Sequence, residues 1–171
     1  MIIALTGPES CGKTQLADAL SRQLNLPVVH EHARNFLQPR ASKPHYQPSD
    51  LIHLLELQMN SEQRPGSLIL DTDILTLIIW WREKYGPVPE IFQRTMSTQL
   101  PRHYLLCAPD LAWQPDPLRE NPHDRERLFA VYERELTLRG LSFEVVHGVG
   151  QSRLDSALAA LKKMPANFSI G

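Results

Sequence analysis

The chain has 171 residues, with 18 Lys and Arg against 19 Asp and Glu, for a formal net charge of −1. This length predicts a single domain over residues 1–171, and the near-neutral charge provides no field that favours nucleic acid or an anionic membrane as partner. The two cysteines do not make a disulfide framework, and no apolar run approaches the roughly 18 residues that cross a bilayer, so we expect a cytoplasmic protein.

Short apolar runs alternate with segments of helical periodicity along the chain. The runs predict strands at residues 1–6, 27–30, 67–70, 103–107 and 142–146. The segments predict helices at residues 13–24, 31–38, 49–63, 73–85, 89–99, 122–139 and 151–163. Because each connection is long enough for a crossover, the strands should be parallel and covered on both faces. The predicted fold is therefore α/β, a three-layer α/β/α sandwich around a five-stranded parallel sheet.

Residues 7–14 read GPESCGKT and directly follow the first predicted strand. A buried strand, a glycine-bounded turn and a helix that begins at Lys13 together aim backbone N–H groups at a polyphosphate. Gly7 and Gly12 allow close approach, Lys13 reaches the β- and γ-phosphates, and Thr14 can ligate Mg²⁺. We call residues 7–14 the phosphate loop and predict that it binds a nucleoside triphosphate. The predicted nucleotide-binding residues are Gly7, Glu9, Ser10, Cys11, Gly12, Lys13, Thr14 and Gln15.

Acidic side chains follow the second predicted strand and end the third. Glu31 and Arg34 stand three residues apart, at the sheet edge where ligands bind in open α/β folds. Glu31 could accept a proton from a substrate hydroxyl and Arg34 could bind phosphate or orient Glu31; the alternative is a surface ion pair. Asp71 has the position of a Walker-B acid that holds Mg²⁺. Asp73 is either a substrate-site residue or the N-cap of the next helix.

Tryptophans and arginines near the same edge are the other candidate site residues. Trp80 and Trp81 point about 100° apart on a helix, so one should pack inward while the other stacks on a flat ring; alternatively both cover apolar surface. A proline-rich segment at residues 109–122 is predicted to form a lid, and it contains Trp113, a candidate substrate contact. Arg119 and Arg125 should neutralise charge at the transferred phosphoryl group, although Arg125 also fits a solvated helix face.

Taken in order, these motifs resemble the ribosylnicotinamide kinase domain of NadR-type bacterial NAD-salvage proteins, over nearly the whole chain. The motifs that carry the resemblance are GPESCGKT at 7–14, HEHAR at 30–34, DTD at 71–73, Trp80 and PDLAW at 109–113 with Asp116, Leu118 and Arg119. The resemblance implies a P-loop fold similar to nucleoside and nucleotide kinases. It also implies MgATP-dependent phosphorylation of the ribose 5′-hydroxyl of nicotinamide riboside, with Glu31 rather than Asp73 as the base.

Other functions remain open at this stage. A kinase for a different nucleoside or small hydroxylated substrate, and a regulatory module that binds ATP without transferring phosphate, both fit the phosphate loop. The sequence has no N-K-x-D guanine element, which disfavours a GTPase, and no HxGH element, so no adenylyltransferase activity is predicted. In each of the kinase readings the expected partner is a small-molecule nucleoside.

Overall fold

Five parallel strands form the sheet at the centre of the chain. The computed structural model describes residues 1–37, 46–115 and 123–163. Its strands are β1 Ile2–Thr6, β2 Val28–Val29, β3 Leu68–Asp71, β4 His103–Cys107 and β5 Phe143–Val146, in the order β2-β3-β1-β4-β5. Every strand pair is parallel. The five predicted strands are confirmed, with ends that shift by one residue.

Seven helices connect or follow these strands in the described ranges. They are α1 Lys13–Leu24, α2 His32–Leu37, α3 Pro48–Glu62, α4 Ile74–Tyr85, α5 Glu90–Thr98, α6 Arg125–Leu138 and α7 Gln151–Leu161. Each corresponds to a predicted helix, with boundaries within three residues. None of these helices has the length and apolar character needed to cross a membrane.

The sheet is covered on both faces because its strands are apolar on both faces. In β1, Ala4 belongs to the core cluster that includes α3 and α4, whereas Ile3 and Leu5 belong to the cluster with α1 and α7. The same alternation continues in β4, where Tyr104 and Leu105 point to opposite clusters. The three-layer α/β/α architecture is therefore confirmed.

The topology brings the predicted site residues to one edge of the sheet. Parallel strands end at a common edge, which we call the carboxyl edge, and Leu5 pairs in register with Asp71. The phosphate loop follows β1 at the middle of this edge, with β3 and β2 on one side and β4 and β5 on the other. Residues contributed by β2 and β3 therefore approach the phosphate loop from one side only.

Candidate active site

The phosphate loop has a backbone that needs glycine. Gly7 has φ +131°, and a Cβ placed there would lie 2.7 Å from the carbonyl oxygen of Cys107. That distance is too short for any Cβ, and the obstructing atom belongs to the backbone of β4. Gly12, the N-cap of α1, has φ +76°. Thus β1, the turn and α1 fit together only if position 7 carries no side chain, and the first amides of α1 remain open to an anion.

Lys13 folds back over the phosphate loop. Its ammonium Nζ donates to the carbonyl oxygens of Gly7 at 2.9 Å and Pro8 at 2.8 Å, and lies 3.7 Å from Cys11 Sγ. In a nucleotide complex, phosphate oxygens are expected to accept these hydrogen bonds in place of the two carbonyls. The side chain is therefore held at the place where a triphosphate would take over its hydrogen bonds.

The charge of Lys13 reports which acids lie nearby. Burial lowers the pKa of Lys13, but negative charge nearby raises it by a larger amount, so that the pKa is above its ordinary value. The groups that raise it are Cys11, Tyr132, Glu31 and Asp71. Lys13 therefore stays protonated near neutral pH. Glu31 follows β2 and Asp71 ends β3, so the strand order places both carboxylates on the β2 and β3 side of the phosphate loop.

Asp71 is a buried carboxylate without a hydrogen-bond donor. The residue is 1% exposed, and neither side-chain oxygen has a hydrogen-bond partner within the described ranges. A buried carboxylate in this state calls for a cation, and Mg²⁺ binds one or two carboxylates together with phosphate oxygens and water. The described ranges hold no cluster of three or more His, Cys, Asp or Glu side chains. The Asp71 carboxylate therefore suits a metal ion that takes its other ligands from phosphate and water, and the role of Thr14 as a second protein ligand stays a prediction.

A small cleft lies between α2, α3 and α4. We call it the α2–α4 cleft; its lining residues are Glu31, His32, Ala33, Leu54, Gln58, Thr72, Asp73, Thr76, Leu77 and Trp80. Burial lowers the pKa of His32, whose Nε2 lies 2.8 Å from Ser61 Oγ, so the imidazole stays neutral. Three of the predicted substrate-site residues, Glu31, Asp73 and Trp80, thus share one cleft.

Both side-chain oxygens of Asp73 accept hydrogen bonds. Its Oδ1 accepts from the Leu75 N–H at 3.1 Å, which makes Asp73 the N-cap of α4. Its Oδ2 accepts from the Tyr104 hydroxyl at 2.6 Å and from Arg102 Nη1 at 3.4 Å. Arg102 also donates to Glu62 at 2.9 Å. The N-cap alternative is therefore confirmed for Asp73, which lines the cleft at the same time.

The buried ion network continues into α3. Burial lowers the pKa of Arg102, but Asp73 and Glu62 raise it above its ordinary value, so the guanidinium stays charged. The second oxygen of Glu62 accepts from Gln58 Nε2 at 2.8 Å. Arg102 thus connects the N-terminus of α4 to the side chain of Gln58, which lines the cleft. The network fixes where the amide of Gln58 lies.

The two adjacent tryptophans have different surroundings. Trp80 lines the α2–α4 cleft. Trp81 packs in the core, 5.3 Å from the ring of Phe92 and 5.5 Å from that of Tyr85, and its Nε1 donates to the carbonyl of Pro87 at 3.0 Å. The two side chains point apart because neighbours on a helix differ by about 100°. Trp81 is therefore removed from the predicted substrate-binding residues.

Arg125 contacts backbone carbonyls at the phosphate loop, and its role at the transferred phosphoryl group stays a prediction. Its Nη1 donates to the carbonyl of Leu111 at 2.8 Å and lies 3.4 Å from that of Ser10, while the guanidinium lies 5.9 Å from the ring centre of Trp113. The start of the predicted lid is thus attached to the phosphate loop. Arg119 lies outside the described residues, so its predicted role stays a prediction.

The other predicted residues lie at the periphery of this site. Gln15 and Arg34 are exposed on α1 and α2, and Glu9 is half-buried in the phosphate loop. The Ser10 hydroxyl accepts from the Gln114 N–H at 3.1 Å. This contact joins the phosphate loop to the start of the lid at the carboxyl edge.

Three buried residues at the site were missed in the sequence: Arg102, Tyr132 and Arg153. Burial raises the pKa of Tyr132 to about 12, and its hydroxyl, which hydrogen-bonds with Thr76, lies near Lys13. Arg153 donates to the carbonyl of Cys11 at 2.7 Å. Each is a single polar residue in a segment without a motif, so only the fold reveals that it reaches the site.

The chain resembles solved kinase-like structures over nearly its whole length. The NadR protein in complex with NR superposes with a TM-score of 0.74 at 18% identity, over 95% of this chain and 50% of that chain. The NadR protein in complex with NAD and AMP-PNP gives a TM-score of 0.66 at 19% identity, over 93% and 49%. The chain thus spans about half the length of these NadR chains.

A deoxyadenosine kinase from M. mycoides, with the products dCMP and a flexible dCDP bound, matches with a TM-score of 0.66 at 15% identity, over 95% of this chain and 98% of that chain. No curated protein matches the chain. These likenesses show a P-loop fold of the nucleoside-kinase type. The family model described as "AAA domain" matches residues 2–153, and the chain belongs to that family.

Proposed function

We propose that the protein transfers the γ-phosphoryl group of ATP to the ribose 5′-hydroxyl of nicotinamide riboside, giving nicotinamide mononucleotide and ADP. The main support for this proposal is that the phosphate loop and the α2–α4 cleft lie at the same edge of the sheet. Glu31, in the wall of the α2–α4 cleft, lies near enough to the phosphate-loop Lys13 to raise its pKa. A kinase needs this arrangement because the donor phosphate and the acceptor hydroxyl have to meet in one protected place.

On the donor side, Lys13 exchanges the carbonyls of Gly7 and Pro8 for the β- and γ-phosphate oxygens. Its charge then opposes the negative charge that develops between donor and leaving group. Thr14 and Asp71 would hold Mg²⁺, which, when bound, screens the phosphate oxygens from the attacking hydroxyl. The Asp71 carboxylate, buried and without a donor in the described ranges, supports this assignment.

On the acceptor side, Glu31 takes the proton of the 5′-hydroxyl as its oxygen bonds to the γ-phosphorus. The bond from that phosphorus to the β–γ bridging oxygen breaks, and ADP leaves with the electron pair. Asp73 is less suited to be the base, because a proton on either oxygen would disturb a buried hydrogen bond from Tyr104, Arg102 or Leu75. Asp73 instead shapes the cleft.

The charge of the cleft favours a cationic ring. Among the residues that line the cleft, Glu31 and Asp73 are carboxylates and none is Lys or Arg, while burial lowers the pKa of His32. A nicotinamide ring bonded to ribose carries a positive charge, so it gains from this surplus of carboxylates. Trp80 adds a flat indole face, which attracts a desolvated cation by about 2 kcal/mol. A neutral purine or pyrimidine would gain only the stacking.

A comparison of three acceptors tests the proposal. Purified protein is incubated with MgATP and either nicotinamide riboside, its neutral 1,4-dihydro form, or deoxyadenosine, and ADP and phosphorylated product are followed. Turnover with nicotinamide riboside well above the other two supports the proposal. Turnover with deoxyadenosine alone assigns the protein to another class of nucleoside kinase, and ATP binding without acceptor-dependent ADP assigns it to a regulatory role.

The base is tested by Glu31→Gln, with the exposed Glu133→Gln on α6 as control. We expect Glu31→Gln to lower kcat by about 10² or more, because proton transfer by a placed group contributes about 10²–10⁴-fold. The affinity for ATP should change little. Near-normal turnover in Glu31→Gln would remove Glu31 from the mechanism while leaving the acceptor test unaffected.

A further inference from the structure

Arg153 is a buried guanidinium that joins three backbone segments at the carboxyl edge. It lies in the first turn of α7 and is 3% exposed. Its Nη1 donates to the carbonyl of Cys11 in the phosphate loop at 2.7 Å, and its Nη2 donates to that of Ala108 after β4 at 2.9 Å. Its Nε donates to the carbonyl of Gly148 after β5 at 2.7 Å. One planar group therefore sets the distances between three loops.

Asp110 completes this connection on the side of β5. Its Oδ2 accepts from the Gly148 N–H at 2.7 Å and lies 3.5 Å from Arg153 Nη2. Gly148 is thus held through both its N–H and its carbonyl. Its φ is +91°, and a Cβ there would lie 2.5 Å from Ser152 Oγ, so the loop at residues 147–150, which we call the β5–α7 loop, has a tightly fixed backbone.

The position of the β5–α7 loop indicates which part of a nucleotide it would meet. The strand order places the α2–α4 cleft at β2 and β3, and the phosphate loop at β1. A donor whose phosphates lie on the phosphate loop and whose γ-phosphate points to that cleft must extend its nucleoside toward β4 and β5. There the β5–α7 loop offers the exposed apolar side chain of Val149.

We propose that Arg153 is a positioning residue that couples the phosphate loop to the β5–α7 loop, so that the triphosphate and the nucleoside of ATP are bound by one rigid unit. This inference rests on the proposed function only in taking ATP as the donor; it does not depend on the acceptor. Lysine cannot replace the group, because an ammonium lacks the planar fork that reaches three carbonyls at fixed angles.

The experiment compares the affinities of the protein for ATP and for inorganic tripolyphosphate, both with Mg²⁺, by calorimetry without acceptor. Tripolyphosphate uses the phosphate loop alone, whereas ATP uses both loops. In Arg153→Ala and Arg153→Lys we expect the preference for ATP over tripolyphosphate to fall by about tenfold, a typical size for coupling between two sites. The exposed Arg94→Ala on α5 is the control and should keep the wild-type preference.

A merely structural role for Arg153 would lower stability and weaken both ligands equally, leaving the preference unchanged, and that result would overturn the inference. Full recovery in Arg153→Lys would also overturn it, because charge alone would then suffice. If Arg153→Ala does not fold, Asp110→Ala serves instead: it should weaken ATP and spare tripolyphosphate, and an equal loss of both contradicts the coupling. Failure of the wild type to bind ATP would overturn both this inference and the proposed function, whereas failure with nicotinamide riboside alone would affect only the latter.

Discussion

The two halves of the carboxyl edge are built from different parts of the chain. On the side of β1, β4 and β5, the site consists mainly of backbone: the phosphate loop, the carbonyls that bind Lys13 and Arg153, and glycines with positive φ. On the side of β2 and β3, side chains from α2, α3 and α4 make the α2–α4 cleft. A backbone site binds groups that all nucleotides share, whereas a side-chain site can change with the acceptor.

The largest effect should come from a methyl group in the backbone half. Gly7→Ala puts a Cβ 2.7 Å from the Cys107 carbonyl oxygen. Gly86 also has a positive φ, but a Cβ at that position would have no neighbouring atom within 4 Å. We expect Gly7→Ala to abolish ATP binding and lower the free energy of unfolding by about 3 kcal/mol or more. Gly86→Ala should cost about 1–3 kcal/mol, because its φ of +86° with ψ of −125° is a conformation that L-residues rarely adopt, and it should keep ATP binding. Calorimetry and urea unfolding measure both quantities; equal behaviour of the two variants would show that the clash at Gly7 is relieved cheaply.

The next effect should come from the ion network of the side-chain half. Arg102→Met leaves Asp73 and Glu62 buried without their cation, which typically costs about 3–5 kcal/mol. The exposed ion pair of Arg94 with Glu90 provides the contrast, because Arg94→Met should cost less than about 1 kcal/mol.

Arg102→Met should also raise KM for the acceptor while the affinity for ATP stays near normal, since Gln58 and Asp73 lose their fixed positions. Urea unfolding and steady-state kinetics measure the two effects. A variant that weakens ATP as much as the acceptor would show that the two halves of the edge are not built independently.

The sequence predicts the backbone half better than the side-chain half, for a physical reason. The phosphate loop is a run of eight adjacent residues, and the strands and helices follow local periodicity, so each can be recognised from neighbouring positions. In the side-chain half, Arg102 is 40 positions from Glu62 and 29 from Asp73. No local pattern marks such pairs, because their contact depends on the packing of whole elements. Asp73 shows the same limit: the sequence offered N-cap and site roles as alternatives, whereas in the structure Asp73 caps α4 and also lines the cleft.

A smaller effect separates Trp80 from Trp81. Trp80→Leu removes the indole face from the cleft, and we expect KM for nicotinamide riboside to rise about tenfold, which corresponds to about 1.4 kcal/mol. Trp81→Phe loses the hydrogen bond to the Pro87 carbonyl and should cost about 1 kcal/mol of stability without changing KM. Thermal unfolding and kinetics on both variants distinguish the roles. A rise of KM in Trp81→Phe alone would reverse the assignment.

The smallest effect is a pH dependence of stability centred on Cys11. Burial raises the pKa of this thiol, but the neighbouring thiol of Cys107 and the charges of Lys13 and Arg153 lower it to about 6, against an ordinary value of 9.0. Because the pKa is lower in the folded state, the stabilisation is complete above pH 9 and is lost as the pH falls toward 6.

In reducing buffer, the difference in unfolding free energy between wild type and Cys11→Ala should therefore shrink from pH 9 to pH 6. In a Cys107→Ala background the same difference should vary less, because the thiolate loses a neighbouring group that lowers its pKa. A difference that stays constant over this range would mean that Cys11 remains a neutral thiol. In that case the ammonium of Lys13 would be stabilised only by the carbonyls of Gly7 and Pro8 and by the more distant carboxylates. The backbone half of the edge would then depend even less on neighbouring side chains.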